Sequence, residues 1–239
     1  MNNMIKRLGM LSVPLAFAAL TLFHSHHSPS ELGEDITRWM VVHSLQLVLS
    51  VFLAYYVWWM LDGIRGAAAQ TARAALAIFL VFFSATDAVA GLATGWLTQT
   101  ANSLSAADQA ATLRAVDTLF NDNWLTGSVS VAASVGATAW AVTAVAGAVA
   151  LRRAGAERLT VALMAISLVF GNHPPPSGTI GMLALCAAGY LWDRRRSSGA
   201  DSQPTVSVSG SEGSGRKGDA RPVSSDRLLS APYTPLERP

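Results

Sequence analysis

The stretch from Trp39 to Leu61, WMVVHSLQLVLSVFLAYYVWWML, carries no charged residue. As a helix it is about 35 Å long, enough to cross the roughly 30 Å hydrocarbon core of a bilayer. Its polar residues His43, Gln46 and Ser50 fall at i, i+3 and i+7, so they share one stripe of an otherwise apolar cylinder. That stripe predicts a helix lying in lipid with one polar line turned toward other helices.

Outward from this segment the pattern recurs. Apolar runs at about residues 6–23, 74–97, 124–151, 158–171 and 178–192 make six candidate spans with 39–61, the last two short enough to need snorkelling or local thinning. Over 239 residues the chain is 51% apolar and only 13% charged, far from the surface composition of a soluble domain. The expected fold is therefore all-α, a polytopic bundle of six transmembrane helices over residues 1–196, with a tail over 197–239.

The charges orient it. With the N-terminus inside, the inner segments hold Lys6, Arg7, Arg65, Arg73, Arg152, Arg153, Arg158, Arg194, Arg195 and Arg196. The outer segments hold Arg38 and Arg114 among Glu31, Glu34, Asp35, Asp108, Asp117 and Asp122. Positive charge gathers on the cytoplasmic side of membrane proteins, so both termini are expected there, in a bacterial plasma membrane. Removing any one span would strand an arginine cluster on the wrong face. The first run, with Ala16, Phe17 and Ala18, also reads as a signal peptide; its apolar continuation to Phe23 suits a retained helix better.

Between the third and fourth spans, Ser105 and Asp108 form a capping-box pattern, and Leu113, Val116 and Phe120 recur at helical spacing. A short amphipathic helix over about 105–120 is expected on the outer surface, as packing spacer or ligand lid. Beyond Ser197 the composition turns to Ser, Gly, Pro and balanced charge, which predicts disorder. Within that tail Leu228, Leu229, Tyr233 and Leu236 offer a docking peptide to a cytoplasmic partner, or are ordinary tail sequence. The other expected partner is the lipid bilayer, and nucleic acid is not expected. Cys186 is the one cysteine, which leaves no disulfide and no cysteine-based metal site.

Candidate chemistry sits in the spans. Asp87 lies mid-span, where an ionised carboxylate costs about 2.5 to 3.5 kcal/mol, and Gly91 and Gly95 follow on its face, permitting close approach of another helix. Asp87, His43, Gln46 and Ser50 are thus expected to point into one interior, joined by Ser130, Ser134 and Thr138 from the fourth span. These residues are candidates for holding a small ligand, ion or proton, or for fixing helix packing. All five histidines fall toward the outer side, and His27, His43, Asp87 and His173 are candidate ligands for zinc or another divalent metal, although no paired ligand spacing is present. His173 heads the stiff Pro174–Pro176 turn. Trp39, Trp96 and Trp124 outside, with Trp58, Trp59 and Trp192 inside, are expected as interfacial anchors.

With His27 and Pro29 after the first span, Trp39 and His43 opening the second, and His173 and Pro174 before a Gly-containing last span, the chain resembles a broad group of uncharacterised bacterial multi-span proteins common in high-GC actinobacteria. The resemblance covers most of residues 1–196 and implies the same topology, with no activity to transfer. The extra histidines and long tail depart from the pattern. The leading reading is a non-enzymatic membrane protein with a polar interior in its outer half. A metal-dependent membrane hydrolase and a small transporter or channel stand as alternatives.

Overall fold

The computed structural model describes residues 3–25, 27–121, 130–171 and 174–200, all within one unit, Met1–Gln203. His26, Asp122, Trp124, His173 and residues 201–239 with their Leu and Tyr positions lie outside the described residues, whereas residues 197–200, expected to open the disordered tail, continue the last helix, where Ser197 and Ser198 donate to the Asp193 and Arg194 carbonyls. Among the described residues every regular element is helical. We number seven helices: α1 (Asn3–Thr21), α2 (Ile36–Met60), α3 (Ala67–Ala101), α4 (Ala106–Asn121), α5 (Val131–Arg153), α6 (Arg158–Gly171) and α7 (Ser177–Ala200). Three of them, α2, α3 and α5, are long and apolar enough to cross a membrane.

Helices α1, α2, α3, α5, α6 and α7 alternate in direction, which puts His24 and His43 at one end of the bundle and Arg73, Arg152, Arg153, Arg195 and Arg196 at the other. Thr21 of α1 and Thr179 of α7 share a hydroxyl hydrogen bond of 2.8 Å near the histidine end. Helix α3 packs most extensively along α5, whose small residues allow close contact. Phe17, Phe79, Phe83, Trp140 and Phe170 interlock in the middle, with Phe17 meeting Phe170 edge-on at 5.0 Å and Phe79 lying 4.9 Å from Trp140. The indole N–H of Trp140 donates to the Ser167 carbonyl at 2.8 Å, where α6 tightens into a 3₁₀ turn over Ser167–Gly171.

The arginine end is held by donors that reach exposed carbonyls. A helix C-terminus leaves its last carbonyls without intrahelical partners. At the end of α2 the Trp192 indole donates to the Met60 carbonyl at 2.9 Å, Arg73 to Leu61 and Ile64 at 2.7 and 3.1 Å, and Arg196 to Asp62. Trp192, expected as an interfacial anchor, is instead 5% exposed and serves as a cap. Trp39 is likewise buried rather than interfacial, because each indole N–H has a carbonyl to reach inside the bundle. Trp58 and Trp96 remain on the periphery. The α5–α6 turn closes on Gly155, at φ 92°, with the Ala156 N–H returning to the Leu151 carbonyl at 2.9 Å.

Helix α4 starts within a residue of its expected position, with Ser105 accepting the Asp108 N–H at 3.4 Å and donating to its carboxylate at 2.7 Å. Its Val116 is fully buried, and Asp117 accepts hydrogen bonds from Ser28 and Ser30 of the connection between α1 and α2. The amphipathic helix therefore covers the histidine end.

Gly189 of α7 is the tightest crossing with α2: a Cβ there would stand 1.7 Å from the Tyr56 hydroxyl oxygen. Gly189→Ala is expected to destabilise the bundle by about 1 to 3 kcal/mol as an overpacking change. Thermal unfolding in detergent measures it. Adding Tyr56→Phe, which removes that oxygen, should recover much of the loss, and an additive double variant would show that this crossing is not the cause.

Candidate functional site

Two helices and the turn after α1 build one polar cluster beneath α4. Helix α2 presents Trp39, His43 and Gln46 along one face, all buried. Opposite them, Asp87 ends the first α-helical part of α3, and Ala88–Ala93 continues as a π-helical turn before α-helix resumes at Thr94. His24 arrives from the turn after α1, half-buried, and so links the cluster to the surface.

The centre is a direct pair. His43 Nδ1 lies 2.8 Å from Asp87 Oδ1, with the two side chains 4% and 3% exposed. With Asp87 ionised, its oxygen accepts and His43 Nδ1 donates, and Nε2 takes no part in the pair. The His43 ring is stacked edge-on by Trp39 at 4.2 Å and by His24 at 5.0 Å. His24 Nδ1 donates to the Ser25 carbonyl at 2.7 Å, which fixes that ring as well.

The π turn explains how Asp87 and Trp39 share this space. Widening the helical repeat offsets the ladder and leaves carbonyls available to side chains. The Trp39 indole N–H donates to the Gly91 carbonyl at 2.8 Å, and the Thr94 hydroxyl donates to that of Ala90. Glycine at 91 is required sterically, since a Cβ there would fall 2.3 Å from His43 Cγ; one at Gly95 would fall 2.7 Å from Met40 Cγ. The two glycines thus let α2 approach, on the face that carries Asp87.

Several buried polar atoms at this site have no hydrogen-bond partner among the described residues: His43 Nε2, Asp87 Oδ2 and both amide atoms of Gln46. Leaving such atoms without a partner costs about 1 to 3 kcal/mol each, so each would gain from a polar partner.

Of the sequence candidates, His43, Gln46, Ser50 and Asp87 lie buried in the interior, Ser50 with its hydroxyl returned to the Leu47 carbonyl at 2.8 Å. Ser130 is buried as the cap of α5, accepting the Ala133 N–H at 3.1 Å. Ser134 and Thr138 do not join the interior; both are exposed on a groove between α3 and α5. The opposite face of α5 is inside because it carries Trp140 and Gly136, and an alanine-rich helix offers little other contrast. His27 is exposed at 74% and lies 3.7 Å from Glu31, away from any ligand set. Among the described residues no group of three His, Cys, Asp or Glu side chains is arranged to hold a metal.

Sequence reasoning missed His24 and Trp39 as members of the site. The four-residue step from Trp39 to His43 was the available signal, since it puts both on one face. No family model, curated protein or solved structure matches the chain.

Removing one partner of the buried pair should be costly, while removing both should not. His43→Leu and Asp87→Leu are each expected to lower stability by about 3 to 5 kcal/mol, and the double Leu variant to lie closer to the parent than either. Unfolding midpoints of the three variants give the comparison; a double variant as unstable as the sum of the singles would remove the pairing argument.

Proposed function

We propose that this chain is an integral membrane protein of the bacterial plasma membrane, crossing six times with both ends cytoplasmic, and that its histidine end is an outward-facing site for a proton. The carrying observation is the buried His43–Asp87 pair, whose His43 Nε2 has no protein partner among the described residues. With neutral imidazole donating to carboxylate the pair holds one net negative charge in a low-dielectric interior. A proton arriving at Nε2 makes imidazolium beside carboxylate and cancels it, which is favourable where an isolated charge is expensive. His24, half-buried and edge-on to His43, stands between the pair and the surface.

On the side away from His24 the described residues are closely packed. One turn inward of Asp87, Phe83 packs within 6.4 Å of Phe17 and 6.1 Å of Phe170. Beyond it Leu53, Tyr56, Val57 and Met60 of α2 are fully buried. That packing favours a terminal proton acceptor over a conduit, and hence a sensing or binding role over transport. The six-span topology is supported by the segregation of Lys and Arg from the acidic loops. Helices α1 and α6 have short apolar stretches, Leu8–Thr21 and Arg158–Gly171, which local thinning accommodates.

Topology is testable in a Cys186→Ala background with single cysteines replacing exposed Asp108 or Arg153. A membrane-impermeant maleimide on spheroplasts should label position 108 and leave 153 untouched until the membrane is opened; the reverse pattern refutes the orientation. Proton uptake is read by infrared difference spectra of the reconstituted protein between about pH 5 and pH 8. A carboxyl band and an imidazole band that change together are expected, and the Asp87→Asn spectrum is expected to lack that carboxyl band and its coupled imidazole change. A spectrum indifferent to that substitution would sink the proton site.

A further inference from the structure

A second site lies at the other end of the bundle, on its flank. Helices α1 and α7 run antiparallel and leave a groove of about 610 Å³ walled by Leu8, Leu11 and Leu15 on one side and Leu183, Cys186 and Tyr190 on the other. Its surface is almost wholly apolar, and Leu8, Leu15, Leu183 and Tyr190 are each about half exposed or more. From Leu8 to Leu15, and from Leu183 to Tyr190, the walls rise about 10 Å, most of one leaflet's hydrocarbon depth of about 15 Å.

Basic residues adjoin the groove walls in sequence. Arg194 follows Tyr190 by four residues and so continues the same face of α7, while Lys6 and Arg7 precede Leu8 in the facing chain. The three consecutive arginines of α7 have different employment. Arg195 pairs with Glu157 at 3.4 Å, and Arg196 donates to the Asp62 carbonyl and lies 4.9 Å over the Trp192 ring. Arg194 is exposed, with no side-chain partner among the described residues. An apolar channel one leaflet deep, ending at an unpaired guanidinium, has the shape and charge of a phospholipid: acyl chain below, phosphate at the rim.

We propose that the α1–α7 groove seats an acyl chain of one anionic phospholipid of the cytoplasmic leaflet, with its phosphate held by Arg194. This rests on the membrane reading with the arginine end inside, and it is independent of the His43–Asp87 site.

The test is native mass spectrometry of the full chain, delipidated in detergent and then given phosphatidylglycerol or phosphatidylcholine with matched acyl chains. One phosphatidylglycerol is expected to be retained in preference to phosphatidylcholine. Arg194→Gln should lower its retention about fivefold, the equivalent of one surface arginine, whereas Arg195→Gln, the same charge change outside the groove, should leave it unchanged. Filling the groove from either wall, with Ser12→Phe or Ala187→Phe, should abolish retention; Ser12 is exposed, so that variant keeps the test open if Ala187→Phe fails to fold. Equal retention of the two lipids, equal effects of the two arginine variants, or phosphatidylglycerol retained by a folded groove-filled variant would each overturn the site. Failure of the membrane reading would appear separately, in the maleimide labelling of positions 108 and 153.

Discussion

Inside a bundle that excludes water, a carbonyl or N–H with no partner costs more than most side-chain contacts return, and a helix end exposes several at once. At the arginine end, where α2 stops, the Met60, Leu61, Asp62 and Ile64 carbonyls are all taken by Trp192, Arg73 or Arg196. These donors come from α3 and α7, so satisfying one helix end also fixes two neighbours against it. The same requirement shapes the opposite end, where Trp39 reaches into the π turn of α3 and serine hydroxyls reach Asp117 on α4. Side-chain donors thus do the joining that loops do in a soluble protein.

Against that background the His43–Asp87 cluster is the exception. Single unmatched atoms occur elsewhere, at Arg73 Nε and Thr98 Oγ1, but here the pair keeps one ring nitrogen and one carboxylate oxygen without a protein partner among the described residues, and Gln46 keeps its whole amide so. A bundle selected for stability alone would fill such positions with leucine, which packs as well and leaves nothing unmatched. The local departure from full satisfaction is what the proposed binding role would account for. The carboxylate also sits where α3 changes from α to π repeat, the kind of irregularity that tends to accompany functional sites.

Much of this was legible in the chain. The polar stripe of α2 and the glycines following Asp87 identified the faces that meet, because helical spacing fixes which residues share a side. The spacing of charges was equally informative about which helix ends lie together. Trp39 and Trp192 were misread because a tryptophan near the end of an apolar run looks the same whether it meets headgroups or caps a carbonyl; only the neighbouring helix decides. Ser134 and Thr138 were misplaced for a related reason: α5 is small-residue-rich on every side, so its buried face is chosen by Trp140 and by the fit of Gly136 against α3. The π turn has no local signature at all, since it arises from accommodating Trp39 and His43 against Gly91.

The two ends of the molecule use charge in opposite ways, and depth explains the difference. Arginines at a helix end extend their heads to water while their stems stay in apolar surroundings, so a guanidinium there costs little and is available both to cap carbonyls and to meet phosphate. Asp87 has no such reach. Its short side chain, one helical turn along α3 from Phe83, is hydrogen-bonded to His43, and Gly91 leaves the room that the His43 ring occupies. Any change in the protonation of this pair must then be felt by the π turn and by Trp39 bonded to it, and through Phe120, 6.0 Å from Trp39, by the covering helix α4. The arginine end is fixed by carbonyls capped from α3 and α7, so a proton taken up at the proposed site would act through helix packing that begins at the histidine end.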